Sequence, residues 1–138
     1  MKTLCLDFDG VLHSYTSGWQ GAGKIPDPPA EGAMEFLCNA IDQFDVAIYS
    51  SRSSSLRGRW AMKRWLRQHM IEHCMSSLGS SAFDAYGEAV EDAEFFLEKI
   101  RWPWFKPAAH VTLDDRAMQF TGEWPAISDL MRFRPWNK

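Results

Sequence analysis

The chain has 138 residues, 46% of them hydrophobic and 24% charged, with a formal net charge of −3. Such a length and balance fit one soluble globular domain over residues 1–138, and the slight acidity speaks against a general nucleic-acid binder. No stretch approaches the roughly 20 apolar residues that cross a bilayer, so no membrane partner is expected. The three cysteines, Cys5, Cys38 and Cys74, are odd in number and lack metal-ligand spacing, which reads as reduced thiols in a cytoplasmic protein.

Thr3-Leu4-Cys5-Leu6 predicts a short buried strand that runs into Asp7-Phe8-Asp9-Gly10. In open α/β sheets ligands bind at the carboxyl ends of the strands. Residues two apart on an extended segment point the same way, so Asp7 and Asp9 are expected to face one substrate. Two carboxylates side by side repel, and the pair makes sense only with a cation or a shared proton between them. A cleaved leader is not expected, since its removal would take the pair with it. From His13 to Pro29 the composition shifts to Gly, Ser, Pro and aromatic residues, a long polar loop with Trp19 as its anchor and the length of a functional flap.

Glu31 to Gln43 carries apolar residues at Ala33, Met34, Phe36, Leu37, Ala40 and Ile41, the rhythm of a helix. Val46-Ala47-Ile48-Tyr49 predicts a second buried strand. It leads into Ser50-Ser51-Arg52-Ser53-Ser54-Ser55, whose serines suit the cap of a long helix from about Leu56 to Met75. Gly79 to Gly87 reads as a connector, and Glu88 to Lys99 as a third helix with acidic first turns. Ile100 to Phe105, interrupted by Pro103, suggests a short edge strand. Val111-Thr112-Leu113 predicts a further buried strand ending in Asp114-Asp115, with Arg116 to Phe120 as a last strand. A turn at Gly122 and a closing helix from Pro125 to about Arg132 follow. This alternation predicts an α/β fold with a central, mostly parallel sheet of about five strands covered on both faces.

Three strands therefore end in polar groups, Asp7/Asp9, Ser50 and Asp114/Asp115, and a parallel sheet brings those ends to one edge. Lys106, followed by Pro107 and eight residues before Asp114, can reach the same edge. The order of DxD, a strand ending in Ser, Lys-Pro and a strand ending in Asp-Asp resembles the haloacid dehalogenase-like superfamily. The resemblance spans Asp7 to Asp115, most of the chain. It implies a Rossmann-like three-layer sandwich and a phosphoryl-transfer site. Asp7 would be the nucleophile forming an aspartyl-phosphate, and Asp9 the general acid and base. Ser50 and Ser51 would bind the phosphoryl oxygens together with backbone N–H groups at the helix start. Lys106 would balance their charge. Mg²⁺ would be held by Asp7, the Asp9 backbone carbonyl, Asp114 and Asp115, an all-oxygen set that suits a hard cation. Two like charges about 4 Å apart repel by roughly 4 kcal/mol at an effective dielectric of 20, so such a cluster needs its cations. An acid at position 9 favours a phosphatase or phosphotransferase over the dehalogenases, which lack it, and over ion-pumping ATPases, which carry Thr there.

Ser50-Ser51-Arg52 also resembles the Ser-Gly-Arg of the polynucleotide kinase-phosphatase branch, with Ser51 in place of the glycine, and on that basis Arg52 joins the phosphate-binding set. The family's cap domains have no room here, because the insertion from His13 to Pro29 makes only a flap. A capless, open site implies a phosphorylated substrate ranging from a small phosphate ester to a nucleotide or a polynucleotide end, nucleic acid being the less favoured. The basic run of Arg57, Arg59, Lys63, Arg64 and Arg67 reads as a solvated helix face or as a patch attracting phosphate. Arg116 reads as ordering the Asp114-Asp115 turn or as merely exposed. The alternatives to a phosphatase are a phosphotransferase and a non-catalytic module that keeps the fold. Physiological substrate, pathway and oligomeric state are not indicated.

Overall fold

The computed structural model describes the backbone of residues 1–78 and 82–138, and the side chains of 1–78 and 85–138. The chain runs β1 (Thr3–Leu6), α1 (Ala33–Ala40), β2 (Asp45–Ile48), a single 3₁₀ turn (Ser51–Ser54), α2 (Leu56–Leu78), α3 (Ala82–Leu97), β3 (Val111–Leu113) and α4 (Ile127–Met131). The three strands form one parallel sheet in the order β2-β1-β3. After β2 the chain crosses to the other side of β1, so the carboxyl end of β1 is a point where the strand order reverses, the usual ligand crevice of such sheets.

β1 and β2 are buried on both faces, as parallel strands must be: Leu4, Leu6, Val46 and Ile48 share one core cluster with Met34 and Leu37 of α1 and Met62, Leu66 and Met70 of α2, while Cys5 and Ala47 are buried beside them. Each fully buried leucine or methionine contributes about 1.5–3 kcal/mol. α1 buries Ala33, Met34, Leu37 and Ala40, at i, i+1, i+4 and i+7 on one face, while Phe36, expected with them from its spacing, is exposed. α2 starts where Ser55 Oγ accepts the Gly58 N–H at 3.0 Å, a side-chain cap worth about 1 kcal/mol. α2 packs along α3, and all three cysteines are free thiols.

Several expectations change. Three of the expected five strands are present among the described residues. Ile100–Phe105 contributes only an isolated bridge, Arg101 to Ala47, since Pro103 has no N–H to extend a ladder. Arg116–Phe120 is irregular. β3, expected to be buried, is exposed along its whole length. Of the expected connector 79–87, residues 79–81 lie outside the described residues and the rest is already helix, so α3 starts at Ala82 rather than Glu88. Gly87 inside α3 did not break it; a single helical glycine costs only about 1 kcal/mol. No helix among the described residues is long and apolar enough to cross a membrane.

Candidate active site

Register places the acids. Leu6 pairs with Leu113, and the ladder continues as the Asp7 N–H donates to Leu113 O at 2.9 Å. The next residues on the two strands, Asp7 and Asp114, are therefore neighbours at the same edge. Carboxylate oxygens of Asp7, Asp114 and Asp115 lie within 4.8 Å of one another. Gly10 closes against them: its φ of +81° is in the left-handed region, and a Cβ there would stand 2.1 Å from Asp115 Oδ2. No residue but glycine meets both demands.

Burial first, and then repulsion from Asp114, Asp115 and Asp9, pushes the Asp7 carboxyl up to about 7. Burial followed by the Asp114 charge likewise raises Asp115. Asp115 Oδ2 is buried without a hydrogen-bond partner, and the nearest cation to it, Arg116 Nε, is 4.0 Å away. An orphaned, buried carboxylate oxygen among three converging acids is a donor set that fits a hard divalent cation such as Mg²⁺.

Asp9 has the opposite surroundings. Burial alone would raise its pKa, but hydrogen bonds from His13 and Arg52 outweigh it and hold the carboxyl below the usual range. Arg52, 0% exposed, donates Nε–H to Asp9 Oδ2 at 2.9 Å and spends Nη1 on the carbonyls of Gly21, Ala22 and Lys24. Its guanidinium also lies 4.6 Å from the centre of the Trp19 ring, while Nη2 is buried and unpaired. One planar, five-donor side chain thus fixes both an acid and the flap. The turn that carries it is formed by Ser50, whose Oγ accepts the Arg52 N–H and whose own N–H donates to Ser53 Oγ. Helix α2 presses on this turn so closely that a Cβ at Gly58 would sit 2.3 Å from Arg52 O.

His13 and Asp27 complete the flap. His13, fully buried, takes the Asp27 N–H on Nε2 at 3.1 Å, which leaves its proton on Nδ1 facing Asp9 Oδ1 at 2.8 Å. The Asp27 carboxylate accepts Ser17 N–H and Oγ–H, and its carbonyl accepts Trp65 Nε1–H at 3.1 Å. From the far end of the chain, Trp136 Nε1–H donates to Gly10 O at 2.7 Å, with Asn137 on Ser14 O.

These groups border a cavity of about 120 Å³ lined by Asp7, Asp9 and Asp115, by Ser50 and Ser51, and by Tyr15, Trp19 and Arg116. At roughly 30 Å³ per water, that is room for one phosphoryl group, with the remainder of a substrate projecting outward. Of the expected residues, Asp7, Asp9, Ser50, Ser51, Arg52, Asp114 and Asp115 are gathered here. Lys106 is exposed, does not line the cavity and makes no hydrogen bond or ion pair among the described residues. Its charge is felt at the Cys5 thiol, which burial nonetheless pushes up. Arg116 is the cation that does line the cavity, and its backbone N–H donates to Asp114 Oδ1, ordering the acidic turn. His13 and Asp27 were not assigned roles from the chain alone; a loop histidine and an aspartate between prolines give no periodic signal, and only the folded flap joins them to Asp9.

Fold and site together define an α/β protein with a carboxylate cluster at the carboxyl edge of a parallel sheet. Comparisons with protein-family models, with curated proteins and with solved structures find no match to the chain.

Proposed function

We propose that the chain is a Mg²⁺-dependent phosphomonoester hydrolase of the haloacid dehalogenase-like kind, capless and working through Asp7. One observation carries this: Asp7, Asp114 and Asp115 converge from two adjacent strands to within 4.8 Å, with a buried, unpartnered oxygen on Asp115. Asp7, Asp114 and Asp115 would hold the cation, which when bound neutralises charge on the phosphoryl oxygens and restores Asp7 to its ionised, nucleophilic form.

The chain's own groups supply the remainder. An Asp7 oxygen attacks phosphorus and the bond to the leaving oxygen breaks, that oxygen taking a proton from Asp9. Water then attacks the aspartyl-phosphate, gives its proton to Asp9, and the bond from phosphorus to Asp7 breaks to release phosphate. His13 and Arg52 orient Asp9 and favour its base form, which suits the second step more than the first. Activated aryl phosphates, whose leaving oxygens need little protonation, are therefore the better substrates. Ser50, Ser51 and Arg116 bind the phosphoryl oxygens, while Arg52, expected among them but buried behind the cavity lining, positions Asp9 instead. Lys106 joins them only by reorienting.

The test is Mg²⁺-dependent hydrolysis of p-nitrophenyl phosphate by the wild type, and its loss by at least about 10³-fold in Asp7→Asn with an unchanged circular-dichroism spectrum. Undiminished turnover in that variant rules the mechanism out, and no turnover by the wild type on any phosphate ester favours an idle module. Nucleotide or polynucleotide-end substrates are the second reading, favoured by exposed Arg57, Trp60, Lys63 and Arg64 on α2. Under it, KM for 3′- or 5′-phosphorylated oligonucleotides rises with salt.

A further inference from the structure

The sheet has a bare side. β3 is bonded only to β1, so its outer edge is open among the described residues, and Val111, Thr112 and Leu113 are all exposed. Beyond it, residues 116–135 make an excursion anchored at both ends, by β3 before it and by the Trp136 bond to Gly10 after it. Within the excursion α4 buries none of its residues. Trp124 is 87% exposed, Met131 81% and Ile127 75%. Phe120 packs against Trp124, their ring centres 4.8 Å apart, yet Met118, Phe120, Trp124, Ile127 and Leu130 still border a hollow of about 870 Å³.

A receptor for such a surface exists on the same chain. A groove of about 250 Å³ lies between the start of α1 and β3, lined by Leu6, Leu12, Ala33, Phe36 and Leu113. Uncovered apolar projections and an unfilled apolar groove, both present on every copy, are what a two-fold contact requires, since there residue i meets j and j meets i. The area agrees. At about 150–250 Å² for a fully exposed aromatic or long aliphatic side chain, the exposed apolar groups of β3 and the excursion amount to roughly 1,000 Å², against about 800 Å² per partner in a stable interface. Charge is mixed rather than one-signed, with Asp129 already paired to Arg132 at 2.9 Å, which does not suit a polyanion. Patches of this size on a lone chain mark a missing partner.

We infer that the protein is a two-fold dimer in which the excursion of each copy, led by Trp124 and α4, covers the groove beside β3 of the other. The strand that ends in Asp114 and Asp115 is thereby braced by the second copy. Mass, rather than activity, reads this out, so the result is independent of the proposed chemistry.

Light scattering on the full chain at about 50 μM is expected to give twice the chain mass. Trp124→Glu on the excursion and Phe36→Glu on the groove each change an exposed side chain. Each is expected to weaken the dimer at least about 100-fold with an unaltered circular-dichroism spectrum. Mixing the two variants restores one intact excursion-and-groove contact per pair, so the mixture is expected to dimerise more tightly than either variant alone. A monomeric wild type, an open series of larger species, a dimer indifferent to both substitutions, or a mixture no tighter than its components overturns the inference.

Discussion

On the flap side of the cavity Asp9 is enclosed in a complete set of bonds, to Arg52 on one hand and to His13 and through it Asp27 on the other. Across the cavity Asp115 keeps a buried oxygen with no partner, and Asp114 stands exposed at the end of a strand that is itself exposed. Save for the unpaired Nη2 of Arg52, the first half is finished by the chain's own groups, so its geometry exists before anything binds. The second half is held apart by like charge and lacks cover. It therefore depends on what arrives: by the proposed function a cation at the acids and, by the inference drawn from the bare edge, a second copy along β3. A buried charge that is fully partnered is costly to break, whereas one that is unpartnered is costly to keep.

That contrast predicts unequal and opposite responses. Arg52→Ala leaves Asp9 buried without its cation and frees three flap carbonyls, and is expected to cost about 3–5 kcal/mol, read as a lower urea midpoint. Arg52→Lys does not recover this, because an ammonium cannot span Asp9 and the flap together. His13→Leu removes the donor to Asp9 and strands the Asp27 N–H, costing about 2 kcal/mol. It also raises the Asp9 pKa, which moves the acidic limb of the kcat profile, where Asp9 serves as base toward the attacking water, to higher pH.

On the other side of the cavity a substitution should stabilise. The folded Asp7 carboxyl, at about 7, holds its proton more tightly than the unfolded one, at about 3.9. Its contribution is therefore most favourable below about pH 4 and is lost as pH rises to 7 and the folded group ionises. Metal-free Asp7→Asn is expected to melt roughly 5 °C above wild type at pH 8, about 1–2 kcal/mol, with the gap vanishing at pH 4. Mg²⁺ raises the melting temperature of the wild type and not of the variant. A metal-free wild type that melts above Asp7→Asn at pH 8 contradicts the account of that half. The smallest effect lies away from both halves. Arg101, by its hydrogen bonds and charge, holds Asp45 below the usual carboxylate range on the exposed edge of the sheet. Asp45→Asn is expected to cost about 0.5 kcal/mol at pH 7, a cost that disappears as pH falls below the usual carboxylate range and Asp45 itself protonates.

The flap side and the acids differ also in how far they could be read from the chain. Asp7, Asp9, Ser50, Asp114 and Asp115 were legible because local rules place them: a strand run, its end, and a parallel register that aligns ends. The stripe of α1 and the serine cap of α2 follow the same local logic. The cover of β3 is not a local property. Val111-Thr112-Leu113 has the composition of a buried strand, and nothing within three residues says whether a helix lies over it. Arg116–Phe120 has strand-like residues but does not turn back to pair with the open edge of β3. Likewise His13 and Asp27 are fourteen residues apart, and Lys106 is near Asp114 in sequence without lining its cavity; both facts depend on the path of loops that obey no period.

Because the indole of Trp136 is tied to Gly10 O, the last residues act as a guy-rope on the loop that carries Asp9. Carboxypeptidase trimming of 136–138 would slacken that rope while leaving every acid in place. The rate at which amide deuterium enters Gly10 to Tyr15 would then report how much of the loop's stiffness is supplied from the opposite end of the polypeptide.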